Sequence, residues 1–223
     1  MSLGRPLRWP DRETLLVYFG YGLLIDVVFL TVFGGANWLA AGSGSSYRFY
    51  MDWELSIPFV PAFVWAYCSL WVLFFLPLFQ LNPAELRRLA LQVIAATLAT
   101  GVVFVLLPAD IYFERPESFT GRAWLDHLIF RYNSAPSLHV IFAGLIVLAA
   151  CEVATPRLRR LYGLWFLLIA VATVLTHQHH IVDVVSALPV ILAARWLLPL
   201  RRPFAIPSVH PATMEETNAN QAR

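Results

Sequence analysis

Lysine is absent from this 223-residue sequence, and charge of either sign is scarce. Charged residues make up 13% of the chain and apolar residues 59%, whereas an ordinary water-soluble domain is about 25% charged. The formal net charge is +2, and no stripe of basic residues of the kind that binds nucleic acid is present. Together with a mean hydropathy of +0.64, this composition excludes nucleic acid as a partner and predicts that lipid surrounds most of the chain.

Signals for metal ions and disulfides are also few. The two cysteines, Cys68 and Cys151, fall inside apolar runs, where thiols behave as small hydrophobic residues. No HExxH motif occurs, and His177, His179 and His180 cannot all turn towards one centre from a helix. We therefore expect neither a metal nor any other cofactor.

Six apolar runs approach the length of about 20 residues that a helix needs to cross a bilayer core of roughly 30 Å. They cover residues 14–34, 56–80, 87–107, 137–154, 161–178 and 180–200. The first run should persist as a helix, since it is followed by bulky aromatic residues and no cleavage site. The sequence predicts an all-α, polytopic membrane helical bundle, a single six-span domain over residues 1–203, with a disordered cytoplasmic tail over 204–223.

Arginines are concentrated in alternate connections between these runs. The N-terminal segment, the second and fourth connections and the end of the last run carry Arg5, Arg8, Arg12, Arg87, Arg88, Arg157, Arg159, Arg160, Arg201 and Arg202. Because short Arg-rich loops stay in the cytoplasm, we expect both termini there, in a bacterial inner membrane, and the first, third and fifth connections outside.

The long third connection, residues 108–136, carries three arginines against this orientation rule: Arg115, Arg122 and Arg131. Arginines kept in an outer loop favour a role in binding an anion, although they could also reach lipid headgroups. Residues 121–132 within the loop are typical of a short interfacial helix.

Ionisable residues at membrane depth are costly and are therefore functional candidates. His179 and Asp183 are four residues apart, which places them on one face of a helix. The carboxylate can then hold one ring nitrogen and leave the other as a nucleophile or base. A purely structural His–Asp bond between helices is the alternative.

The segment NSAPSLHV, residues 133–140, begins the fourth run. Ser134 is a candidate N-cap and Pro136 suits a first helical turn, so the amides of Ser137 and His139 would point at an anion. A histidine here could protonate a leaving group. An ordinary helix cap beside an interfacial histidine is the alternative.

Three motifs resemble, in order and spacing, the signatures of the type 2 phosphatidic acid phosphatase superfamily. They are Arg115-Pro116 in YFERPESF, Pro136-Ser137-Leu138-His139, and His179-His180-Ile181-Val182-Asp183. The forms PSLH and QHH-I-V-D look most like its inositol phosphorylceramide synthase branch. The resemblance covers about residues 85–200 and implies a six-helix core. It also implies that His139 is a general acid, that His179 forms a phosphohistidine, that Asp183 orients His179 and that Arg115 binds phosphate.

Two positions depart from the superfamily pattern, because Pro108 and Thr173 stand where basic residues are usual. Arg122 and Arg131 are candidates to replace them, by their nearness to the second motif. The loss of two cations favours a phosphodiester substrate or a site of reduced activity.

The substrate implied is a membrane lipid, either a lipid phosphate or a phospholipid, and the acceptor is water or a polyol. Asp126 and His127 could hold a sugar or inositol hydroxyl, with a plain amphipathic helix as the alternative. Asp26 in the first run could strut two helices or serve substrate entry or acceptor binding. No feature of the sequence predicts an oligomeric state.

Two other classes of protein fit less well. An intramembrane serine protease could use Ser137 with His179, but it should show a glycine-flanked serine, and SAPSL does not. A haem-binding electron carrier could use His139 with His177 or His180, but it would leave Asp183 and the loop arginines unexplained.

Overall fold

The computed structural model of the protein describes residues 4–43, 46–109, 111, 113 and 133–200. Over these residues the chain is helical and forms no strand, which confirms the all-α prediction. The helices are α1 (Arg12–Ser43), α2 (Phe63–Cys68), α3 (Leu70–Leu73), α4 (Leu76–Gln80), α5 (Pro83–Leu106), α6 (Leu138–Val153), α7 (Pro156–Leu175) and α8 (Ile181–Leu197), with a 3-10 helix at Asp52–Ser56.

Three of the described helices are long and apolar enough to cross a bilayer: Arg12–Gly42 within α1, α5 and α7. The chain therefore has the helices of a membrane protein. Helix α6 is apolar but has 16 residues, about 24 Å at 1.5 Å per residue. Six membrane spans are not confirmed and stay a prediction.

The predicted run 56–80 is divided into α2, α3 and α4. Pro77 lies in the first turn of α4. It has no N–H to donate, and its ring would clash with the carbonyl four residues earlier in a continuous helix. Ser69, between α2 and α3, turns its hydroxyl to the Ala66 carbonyl at 2.6 Å and accepts from the Trp165 indole at 2.8 Å. Both residues therefore favour interruptions in this run.

Helix α6 lies at the centre of the bundle, in contact with α3, α4, α5, α7 and α8, while α1 packs along α5. A helix that is apolar on all sides belongs in the interior, and most residues of α6 are buried. Gly144 brings α6 close to α8, since a Cβ there would stand 2.5 Å from Cδ1 of Ile191. The two helices that carry the second and third motifs are therefore packed directly against each other.

Charged side chains join the helices at one end of the bundle, which we call the arginine end. Arg5 forms two hydrogen bonds of 2.9 Å with Glu85, and its backbone N–H donates to the Val153 carbonyl at 2.6 Å. Asn82 caps α5 in a reciprocal pair with Glu85, with both hydrogen bonds at 2.9 Å. Gln92 donates to the Leu198 carbonyl. The start of α5 and the C-terminal ends of α6 and α8 therefore meet here, which places the N-terminal ends of α6 and α8 at the opposite end.

Candidate active site

His179 and Asp183 meet at the N-terminal end of α8. The Nδ1 atom of His179 lies 3.2 Å from Oδ2 of Asp183, and the same oxygen accepts from the backbone N–H of His180 at 2.9 Å. Because a carboxylate accepts, Nδ1 carries the proton and Nε2 presents its lone pair. The contact therefore leaves Nε2 of His179 as the nitrogen able to attack.

His179 itself is not helical, contrary to the prediction that both residues share a helix face. The first residue of α8 is Ile181, and Asp183 reaches back over the open end of the helix. The amides of the first helical turn have no acceptor within the helix, so an acidic side chain at the third helical position is stabilised there. The predicted pairing thus arises from helix capping.

A backbone hydrogen bond joins the second motif to the third. The N–H of Ser137 donates to the carbonyl oxygen of Asp183 at 3.0 Å. The hydroxyl of Ser137, which is fully buried, accepts from the N–H of Val140 at 3.3 Å and caps α6. The prediction that Ser134 is the cap was wrong. Pro136 disfavours helical backbone at the residue before it, and the helix begins only at Leu138.

His139 stands in the first turn of α6 with one ring nitrogen occupied. Its Nε2 lies 3.0 Å from the carbonyl oxygen of Tyr67, and its ring stacks on the Tyr67 ring at 4.0 Å between centroids. A carbonyl can only accept, so Nε2 carries a proton and Nδ1 is the atom left to exchange one.

The histidines of this region differ in their exposure to solvent. His139 and His179 are partly exposed, with 12% of the His179 side chain accessible. His177 and His180 are buried. Nε2 of His177 lies 3.0 Å from the carbonyl oxygen of Ile57. Among the described histidines, the two that the sequence predicts to be catalytic are thus the two whose side chains are partly accessible.

Glu54 is the buried residue of this region that the sequence analysis missed. It lies in the 3-10 helix with no exposed surface, and Oε2 accepts from the N–H of Ile181 at 2.8 Å. The same oxygen is 3.5 Å from Nδ1 of His180. The sequence shows an acidic residue just before the apolar run 56–80, but its partner Ile181 is 127 residues away in the sequence.

A column of rings covers this end of the bundle. The His180 ring is stacked between Tyr50 and Phe113, each at 4.2 Å between centroids. Phe113 also stacks on His177 at 4.3 Å, and the guanidinium of Arg48 lies 4.4 Å from the Tyr50 centroid. The rings of His177, Phe113 and His180 in this column are all buried.

Pro108 and Thr173, the two residues that depart from the superfamily pattern, both accept hydrogen bonds through their backbone carbonyls. The carbonyl of Pro108 accepts from the N–H of Tyr47 at 2.7 Å. Thr173 is fully buried, and its carbonyl accepts from the amides of both Gln178 and His179 at 3.0 Å. The backbone carbonyl of Thr173 therefore holds the turn that carries His179.

The remaining predicted residues lie away from this cluster or outside the described residues. Asp26 is exposed on α1, and within the described chain no contact links it to His139 or His179. Those outside the described residues are Arg115, Arg122, Asp126, His127 and Arg131, together with the predicted interfacial helix 121–132 and the predicted tail 204–223.

Comparison with known proteins identifies one family. The family model described as the PAP2 superfamily matches residues 48–197, a stretch that contains Glu54, His139, His179 and Asp183. No curated protein and no solved structure matches the chain. The matched stretch is more than half of the chain and includes both described motifs, and it follows that the chain belongs to the PAP2 superfamily, which generally comprises phosphatases and phosphotransferases.

Proposed function

We propose that the protein is an integral membrane phosphatase or phosphotransferase that acts on a lipid phosphate or phospholipid through a phosphohistidine at His179. The observation that carries the proposal is the double use of Asp183. Its side chain holds Nδ1 of His179, and its backbone carbonyl holds the amide of Ser137, the residue that caps the helix carrying His139. One residue thus fixes the nucleophile relative to the acid.

In the first step, the lone pair on Nε2 of His179 attacks phosphorus. The bond from phosphorus to the leaving oxygen breaks, and Nδ1 of a protonated His139 donates its proton to that oxygen. Asp183 stabilises the positive charge that develops on the His179 ring. Phosphoryl transfer asks mainly for positioning and charge stabilisation, which these contacts supply.

In the second step, water or the hydroxyl of an acceptor attacks the phosphohistidine. Nδ1 of His139, now unprotonated, takes the proton of that hydroxyl, and the bond between phosphorus and Nε2 of His179 breaks. The phosphate or new phosphodiester leaves, and both histidines return to their starting protonation states. Water as the acceptor makes the protein a phosphatase; a polyol makes it a headgroup transferase.

The phosphate oxygens would meet the first turn of α6, since Asp183 and Glu54 already hold the amides of His180 and Ile181 at the start of α8. The N-terminal end of α6 lies at this site, where backbone amides and the helix dipole favour an anion. The Ser137 amide is already bound to Asp183, so Leu138 and His139 supply the remaining amides of α6. Arg115, Arg122 and Arg131 are our candidates for cationic contacts.

The site should face the outside of the membrane. Arg5, Arg87 and Arg159 lie towards the arginine end, and the N-terminal ends of α6 and α8 lie at the other. Arginine-rich ends stay in the cytoplasm.

In a variant with Cys68 and Cys151 replaced by Ala, a Tyr47→Cys change should be labelled by an impermeant maleimide on intact cells. Protection at position 47, which is 48% exposed, would reverse the orientation.

A lipid panel followed by mass spectrometry tests the function. Protein in nanodiscs is incubated with lipid phosphates and phospholipids, with and without inositol. We expect free phosphate or a new phosphodiester, and loss of either product in His179→Ala but not in His210→Ala, a histidine in the predicted tail. Product formation by His179→Ala at the wild-type rate would refute the proposal. Free phosphate alone identifies a phosphatase, and a new phosphodiester identifies a transferase.

A further inference from the structure

The carboxyl group of Glu54 is completely buried. Removing a charged group from water is costly unless hydrogen bonds and opposite charge offset the loss. One oxygen, Oε1, accepts from the N–H of Met51 at 3.0 Å and closes the 3-10 helix. The other, Oε2, reaches Ile181 at 2.8 Å. The carboxylate therefore ties the 3-10 helix to the first residue of α8.

The residues after Glu54 follow the turn before α8 and bond to it at two further points. The carbonyl of Ile57 lies 3.0 Å from Nε2 of His177, and the N–H of Val60 donates to the carbonyl of Leu175 at 2.9 Å. His177 takes a φ of 54°, a region that residues other than glycine rarely adopt. Segment 54–60 therefore bonds to both sides of the turn that contains this unusual backbone conformation.

Two carboxylates satisfy successive amides at the start of α8. Asp183 accepts from the N–H of His180 at 2.9 Å, and Glu54 accepts from the N–H of Ile181 at 2.8 Å. Glu54 also faces Nδ1 of His180 at 3.5 Å, while Tyr50 and Phe113 hold both faces of that ring. The backbone that follows His179 can therefore neither rotate nor shift without breaking a buried contact.

We propose that Glu54 is a positioning residue for His179, acting through the Ile181 amide and the His180 ring to aim Nε2 of His179. The inference rests on the proposed function for its effect on rate. Asp183 fixes the ring of His179, and Glu54 fixes the backbone from which that ring projects. The loss of Glu54 should impair attack on phosphorus and leave the binding of the lipid unchanged.

Glu54→Gln is the informative substitution because it keeps the shape of the side chain. Its single carbonyl oxygen can accept one of the two amides, and its NH₂ group would oppose the N–H of the other. We expect kcat to fall by at least about tenfold with KM unchanged, since the interaction matters only for the chemical step. An unchanged kcat would overturn the proposal.

Glu85→Gln is the matched control. Glu85 is also a buried carboxylate that accepts from a backbone amide at a helix start, but it lies at the arginine end. Its loss should lower the melting temperature and leave kcat unchanged. An equal fall of kcat in both variants would show that Glu54 acts only on stability, and would also overturn the proposal.

A second measurement does not depend on turnover. In protein labelled with ¹⁵N-histidine, the Nδ1 signal of His179, assigned by its loss in His179→Ala, should change in Glu54→Gln and not in Glu85→Gln. No change in Glu54→Gln would refute the positioning role. If the wild-type protein releases no product from any lipid, the proposed function fails, and this signal alone decides the role of Glu54.

Discussion

At the scale of single residues, Asp183 joins the second motif to the third. Its Oδ2 accepts from the His180 amide and holds His179, and its carbonyl accepts from Ser137. Asp183 is only 1% exposed, so these partners are not exchanged for water. The side chain sets the tautomer of His179, and the backbone joins the two motifs.

Replacing Asp183 by Asn should separate these tasks. The backbone bond to Ser137 can remain, but an amide no longer stabilises a charged His179 ring and can stabilise the wrong tautomer. We expect kcat to fall by about 10⁴-fold, as for the corresponding change in a Ser-His-Asp triad, measured as phosphate release from lipid phosphate. Asp52→Asn is the control, because the Asp52 side chain is 86% exposed. A rate for Asp183→Asn within tenfold of wild type would contradict this role.

The sequence predicted some of these contacts and missed others. The spacing of His179 and Asp183 predicted their contact, although the contact forms at the capped start of α8 and not along a helix face. Glu54 could not be paired with Ile181 from the sequence, since nothing local specifies a contact over 127 residues. Ser134 was predicted as the cap and Ser137 is the cap, a difference that the preference of the residue before Pro136 for extended backbone could have indicated.

At the scale of helices, the close approach of α6 and α8 sets the geometry of the site. A Cβ on Gly144 would stand 2.5 Å from Cδ1 of Ile191 and 3.3 Å from a ring carbon of Phe166. Only a glycine lets the two helices come this near without a shift of the neighbours. The hydrogen bond from Ser137 to Asp183 joins the same two helices.

A Gly144→Val substitution should push α6 and α8 apart. Overpacking of this kind costs about 1–3 kcal/mol, and the displaced helices should also slow phosphate release. Gly163→Val is the matched control, because a Cβ on Gly163 meets nothing within 4 Å. The double variant Gly144→Val with Ile191→Ala should recover part of the melting temperature and the rate. Wild-type values for Gly144→Val alone would contradict the packing account.

The predicted helix boundaries were most accurate where the apolar run was continuous. The run 87–107 corresponds to α5 and the run 137–154 to α6, within a few residues. The run 14–34 was too short, because α1 continues to Ser43 through the apolar and small residues that follow. The run 56–80 contains Pro77, whose effect on a helix is local and could have been predicted.

At the scale of the whole molecule, the arginine end and the candidate active site lie at opposite ends of the described bundle. Arg5 and Glu85 join helices at one end, and His139, His179 and Glu54 lie at the other. The distribution of arginines in the sequence predicted this polarity, because it depends only on which connections share a side. The distance between the motifs could not be predicted, since it depends on how α6 packs against α8.

The central claim is that His179 carries the phosphoryl group, and trapping this intermediate tests it most directly. His139→Ala protein is incubated with p-nitrophenyl phosphate, whose leaving group needs no proton, so the first step should proceed and the second should stall. The protein is quenched in alkali and digested, and its peptides are sequenced by mass spectrometry. The account predicts phosphate on His179, and none when His179 is also replaced by Ala. Phosphate on another residue, or turnover by wild-type protein with no phosphohistidine at position 179, would contradict it.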